Sequence, residues 1–506
     1  MTKAHYKLTL LPMVMMIFST VYGFANVPRA FLMMGYGAIF WYILAALAFF
    51  LPFAVMMVEF GYTYKNEHGG IYSWAKASVG TRFAFIIIFM WYTSFITLLV
   101  TTSSIVWVPV AKVLEMVNTS GGLTPLIENL HNNSALIGVL AILLVSGVAT
   151  SLACGLRSVS WVANVGGFCV LLLNVLLILG GLLVLVLNKF HFAEPITGLQ
   201  SFIMNPYKTN SILSMVGFAV FAIFAYGGLE VTSGLVDKVE NPERTFPQGL
   251  LLAAFVIAAG YSIMIFIVGI FTNWLGVMDQ SDVNLGNAVY IVMGELGAQM
   301  GVAVGLDQDG ALILSRIFAG ITGLSMVMVY MAMYFTCFYS PLKQVIEGTP
   351  KELWPAFMLK RKNDMPVGAL MVQAIVIILI IAFNAFGGAG AKELMNRLVM
   401  MANVAMTLPY VFIAIAYFAF RRNTQIEKPF LILKSNTQAM VMAIVTMLFV
   451  GFANLFTIFE PLLSALQAKD TQGIATGINY MLLMVSGPVI FALLGYVLYQ
   501  VSLKRR

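Results

Sequence analysis

The chain has 506 residues, of which 60% are hydrophobic and 10% charged, with 28 Lys and Arg against 21 Asp and Glu. A soluble enzyme would carry about a quarter charged residues. The mean hydropathy of +0.92 and repeated apolar runs longer than the ~20 residues that cross hydrocarbon exclude that class. The net charge of +7 fits basic loops on one side of a membrane better than a nucleic-acid surface. A lipid bilayer is therefore the expected partner, and no nucleic acid is.

The first apolar run, 8–33, is too long for a cleavable signal peptide and lacks a small-residue cleavage site. It is expected to stay as span 1. Inside it stand Ser19-Thr20-Val21-Tyr22-Gly23-Phe24-Ala25-Asn26-Val27-Pro28-Arg29. Proline removes a backbone donor and disfavours helix at the residue before it, so Gly, Asn, Pro and Arg crowded here predict a discontinuity. Span 2, 38–63, contains Glu59 and is followed by Glu67–Trp74, a short amphipathic stretch suited to the inner interface. Spans 3 to 5 follow at 82–115, 134–154 and 158–187; Glu115 is expected to pair with Lys112, three residues earlier.

Span 6, 211–237, carries the strongest signal. Gly227 and Gly228 interrupt it at mid-depth and Glu230 follows at once. A Gly pair weakens a helix and a charge in lipid is costly; both are tolerated where unwound backbone lines a polar cavity. Spans 7 to 12 are read at 245–272, 310–340, 366–385, 393–419, 434–459 and 475–502. Between spans 7 and 8, 284–296 is expected to form an outer surface helix. The basic stretch 341–366 is expected to be a cytoplasmic connector.

With both termini in the cytoplasm, cytoplasmic segments hold twenty Lys and Arg and outer loops only Lys189, Lys208, Lys392 and Lys469. That asymmetry sets the expected orientation. The fold class is thus an all-α polytopic membrane protein of twelve transmembrane helices in a single domain, 1–506. Breaks at spans 1 and 6 are what a LeuT-type 5+5 inverted repeat gives. The repeats would be 8–187 and 211–419, with accessory helices 11 and 12 at 434–502.

A half-helix beginning at mid-membrane offers free N–H groups and a positive dipole end to an α-carboxylate, and the facing half ends in carbonyls that accept from an α-ammonium. The candidate substrate-binding residues are therefore Val21, Tyr22, Gly23 and Asn26 at the first break and Phe224, Ala225, Tyr226, Gly227 and Gly228 at the second. Glu230 is the candidate proton site or gate, and Glu59 a second coupling or gating candidate with interface pairing as its alternative. Arg29 is an outer anchor or an attractor of anionic substrates. Met326, Met333 and Met406 are a candidate adaptable surface. Cys154, Cys169 and Cys337 have no paired spacing and read as buried small residues. The four histidines lie in the N-terminus or loops, so no metal site is expected. No nucleophile–base pair or phosphate loop is visible, so no catalytic residue and no cofactor are expected.

These motifs resemble the amino acid/polyamine/organocation (APC) superfamily over essentially the whole chain. Phe224-Ala225-Tyr226-Gly227-Gly228-Leu229-Glu230, then Glu240-Asn241-Pro242-Glu243-Arg244-Thr245-Phe246-Pro247, look like its F-x-G-x-E…N-P-x-R-x-x-P pattern. Gly69-Gly70-Ile71-Tyr72 and Ser340-Pro341-Leu342-Lys343 match further segments. Within the superfamily the chain is most similar to the glutamate/γ-aminobutyrate antiporter group and its YjeM-type permeases.

The resemblance implies alternating-access transport of an amino acid in the bacterial inner membrane, by proton-linked symport or by exchange. Transport of another small amine, or amino acid sensing without transport, remain as alternatives, as do monomer and homodimer. The chain departs from the family in several places, Lys343 standing for the usual Arg among them. Val21-Tyr22-Gly23 replaces the common Gly-Ser-Gly, Asp237-Lys238 replaces an acidic pair, and no lysine lies between Arg157 and Lys189 in span 5.

Overall fold

The computed structural model describes residues 8–67, 70–118, 121–204, 212–281, 283–363 and 365–503. Eighty-two per cent is helix and no strand occurs among the described residues. In chain order the helices are α1 (Leu10–Val21), α2 (Asn26–Met34), α3 (Ala38–Ala45), α4 (Leu51–Thr63), α5 (Ile71–Val79), α6 (Thr81–Ile105), α7 (Trp107–Val117), α8 (Thr124–Asn132) and α9 (Ser134–Ala153). Then come α10 (Leu156–Leu187), α11 (Ile212–Ala225), α12 (Pro242–Phe271), α13 (Ala288–Ala303), α14 (Gln308–Gly348), α15 (Val367–Phe386), α16 (Gly388–Arg422), α17 (Asn436–Gln467) and α18 (Thr471–Leu503).

Eleven helices among the described residues are long and apolar enough to cross a membrane, and α13 is a shorter apolar one. Span 1 is missing from that count for a physical reason. Its break leaves α1 with 12 residues and α2 with 9, neither of which can span alone. Large side chains turned outward, such as Leu47, Phe168, Phe255 and Leu448, give the bundle an apolar outer face suited to lipid.

Close packing relies on small residues where helices meet. A Cβ on Gly166 of α10 would come within 2.3 Å of Ala332 Cβ on α14, and one on Gly167 within 2.8 Å of Met15 O on α1. Only glycine admits α10 between those two neighbours.

Four expectations are corrected. The 341–366 connector begins only after Gly348, because α14 runs through Pro341. The turn loosened by that proline is held by Gln373, whose Nε2 donates to Phe338 O at 2.9 Å; neighbouring helices commonly satisfy backbone freed by proline in this way. The helix after span 2 begins at Ile71, not Glu67, and buries Ile71–Ala75 against the bundle. The helix between spans 7 and 8 is α13, with nine of its residues buried, because it packs on α14 and α10. Cys154 is exposed, since α9 ends beside it, while Cys169 is half-buried and Cys337 buried.

Candidate functional site

Both interruptions exist. Between α1 and α2 the chain is extended at Tyr22 (φ −79°, ψ 96°) and resumes helix at Asn26. After α11 the chain turns at Tyr226–Gly228 and continues as a tight 3₁₀ helix over Leu229–Lys238. Gly228 has φ +110°, a conformation open to glycine and costly for other residues.

The second break opens into a cavity of about 870 Å³, within the roughly 300–1,000 Å³ of small-molecule sites. Phe224, Gly227, Gly228, Glu230 and Thr20 lie at its inner end. Its walls come from α6, α11, α14, α16 and α17, and it runs toward Leu213 and Gln467, on the face that carries the 188–204 and 468–470 connections.

Glu230 is buried. Its Oε2 accepts from Gly228 N at 3.1 Å. Tyr410 Oη accepts from the same N–H at 3.1 Å, which leaves the phenol hydrogen to face the Glu230 carboxyl. The Trp91 indole N–H also faces that carboxyl without completing a hydrogen bond. The free donor end of the second half-helix is thus already matched by an acid of the same chain.

The first break is closed. Tyr261, on α12, puts its hydroxyl among the freed backbone groups. Gly23 N donates to it at 3.0 Å, and Asn26 Nδ2 lies at 3.5 Å. The hydroxyl faces Ala225 O at 3.2 Å and Val21 O at 3.4 Å. Tyr22 stacks on the Tyr261 ring at 4.7 Å, and its hydroxyl donates to Asn174 Oδ1 on α10 at 2.8 Å. Tyr226 meets the Tyr261 ring edge-on at 5.2 Å and donates to Tyr42 O at 3.3 Å.

Of the nine substrate-site candidates, then, Phe224, Gly227 and Gly228 line the cavity with Glu230. Val21, Tyr22, Gly23, Asn26, Ala225 and Tyr226 do not, because their polar groups are turned to Tyr261, Asn174 and Tyr42. Met333 and Met406 line it, while Met326 is buried elsewhere. Tyr410, Tyr261 and Asn174 were not anticipated. A polar residue inside an apolar span was the available signal for Asn174, but a tyrosine in such a span reads as packing.

The opposite face is stapled shut. Gln344, on the α14 extension, accepts from Ile71 N at 3.2 Å and from Ser233 Oγ at 3.0 Å. Ser340 Oγ donates to Val231 O, and Glu240 N donates to Leu8 O at 2.8 Å. Glu59 is fully buried and accepts from Arg421 Nη1 (2.9 Å), Tyr417 Oη (2.8 Å), Ile432 N (2.9 Å) and Leu433 N (3.2 Å). The side chains of 234–238, Asp237 and Lys238 included, lie outside the described ones. Glu115 does pair with Lys112, at 2.7 Å. Arg29 donates to Leu285 O at 2.6 Å, tying α2 to the connection after α12.

Sequence comparison specifies what kind of helical membrane protein carries this cavity. The "Amino acid permease" family model matches residues 8–490. The chain belongs to the amino acid permease (APC) family. This permease is 43% identical over 509 residues to "Inner membrane transporter YjeM" of Salmonella typhimurium, covering 99% of this chain and 97% of the relative. It is 44% identical to the Escherichia coli protein of the same name over 504 residues, 98% and 96% of the two chains. A "Glutamate/gamma-aminobutyrate antiporter" of Lactococcus lactis is 23% identical over 471 residues, covering 92% of this chain and 85% of its own. This permease is a transporter and not an enzyme.

Proposed function

We propose that this permease is a secondary active amino acid transporter of the bacterial inner membrane, with both termini cytoplasmic, working by alternating access through proton-linked symport or amino acid exchange. The observation that carries the reading is the cavity ending on the broken helix at Gly227, Gly228 and Glu230. The names of the relatives support the membrane and the substrate class. In the orientation set by the basic loops, the cavity faces outward and the stapled face lies in the cytoplasm. We read 8–187 and 211–419 as the two inverted repeats.

In this reading the substrate head sits against Phe224, Gly227 and Gly228, and its rear support comes from Val21, Tyr22, Gly23 and Asn26 of the first break with Ala225 and Tyr226 of the second. A proton arriving on Glu230 removes the charge that competes for the Gly228 N–H, and a substrate carboxylate takes its place. Glu59 acts as a gate element through its pairing with Arg421, not as a proton carrier. Solute counterflow in proteoliposomes tests the function, since a channel or a sensor gives no trans-stimulation. Glu230→Gln is expected to lower transport by about tenfold or more, the usual scale of a lost proton-transfer group, and to flatten its pH profile. Unchanged transport with an unchanged profile sinks the role of Glu230.

A further inference from the structure

The charge of the cavity narrows the substrate class. Its long walls are apolar, with Phe221, Phe224, Met333, Met406 and Phe456 among the lining side chains. Among the described residues lining it there are two carboxylates, Glu230 and Glu460, and no Lys, Arg or His. Glu230 is buried at the inner end; Glu460 is exposed on α17 and accepts from Ser464 Oγ at 3.2 Å. Neither carboxylate is ion-paired among the described residues.

A substrate with a single α-carboxylate can use the one helix pole in the cavity, the Gly228 N–H, once Glu230 yields it. A second carboxylate, on a side chain, would find no cation and no other lined helix end. It would sit among aromatic and thioether groups between two acids, losing its hydration without a partner. An ammonium group meets the opposite conditions, attracted by Glu460 and, in an amine without an α-carboxylate, by ionised Glu230 as well. An apolar body fits the walls.

We infer that the substrate is an amino acid or amine with no net negative charge and an apolar body, and that acidic amino acids are excluded. This rests on the reading of the cavity as the transport site. It separates this permease from the glutamate arm of the group it resembles.

The test is counterflow with the full chain in proteoliposomes at neutral pH. Vesicles are preloaded with unlabelled L-methionine, L-phenylalanine, agmatine or L-glutamate, and each is offered a trace of the same labelled compound. At least one of the first three is expected to exchange, with glutamate at roughly a tenth of its rate or less, the penalty of about one uncompensated charge contact. Glu460→Gln is expected to lower agmatine exchange relative to methionine by about threefold, since a rim charge acts through attraction at a distance. Glutamate exchanging as fast as the best neutral compound overturns the inference and leaves the transport function standing. Exchange of none of the four overturns both.

Discussion

The two helix breaks start from similar sequence and end in opposite states. The break in span 6 is open: Gly227 and Gly228 line a cavity and an acid of the same chain holds the freed N–H. The break in span 1 is shut, its Val21 carbonyl and Gly23 N–H gathered on one phenol, Tyr261 Oη, which also faces Ala225 O of span 6. A broken helix therefore does not by itself make a binding site. What decides is whether the released backbone groups find partners within the protein or face a space that a solute can enter. Here the packing of α12 closes one break, and the gap between α11, α16 and α17 opens the other.

Three substitutions break or sharpen that contrast. Arg421→Ala is expected to have the largest effect, because it takes the cation from the buried Glu59; breaking such a pair costs about 3–5 kcal/mol. A lower thermal midpoint in detergent is expected, with loss of transport through failed closure of the stapled face, checked by proteoliposome uptake of the refolded fraction. A midpoint within error of the parent would mean that the staple does not hold that face.

Gly228→Ala comes next. A Cβ there must adopt φ +110° and would lie 3.1 Å from Thr20 O, a strain on the order of 1–3 kcal/mol. Because that backbone is the inner end of the cavity, transport should fall more than stability does. Equal loss in both would assign the glycine to packing alone.

Tyr261→Phe should have the smallest effect. It keeps the ring stacked on Tyr22 and removes only the hydroxyl, a loss of roughly 1–3 kcal/mol for buried groups left without a partner. Stability should drop while the KM for substrate stays near that of the parent, since the hydroxyl does not face the cavity. A large change in KM would show that the first break takes part directly in binding.

Much of this was legible in the chain. Hydropathy placed the spans because each must bury or present about twenty apolar residues. Gly23, Pro28, Gly227 and Gly228 marked the breaks because their backbone chemistry is local. Glu230 stood out because an acid beside such a break is rarely accidental. The extension of α14 past Pro341 was hidden, since the bonds that stabilise that turn come from Gln373 and from Val231, remote in sequence. Arg421 likewise stands in the last turn of α16, and only folding brings Glu59, far away in sequence, against it.

The sequence alone determined that the chain is a helical membrane protein, where its helices break, and which acid stands at the second break, because hydropathy, glycine and proline act over a few residues. Tertiary structure alone decided which break is open, which carbonyls Tyr261 occupies, and that the described cavity lining holds two acids and no cation. Those outcomes depend on which side chains from distant helices meet at one point, and a hydrogen bond or an uncompensated charge exists only after that meeting.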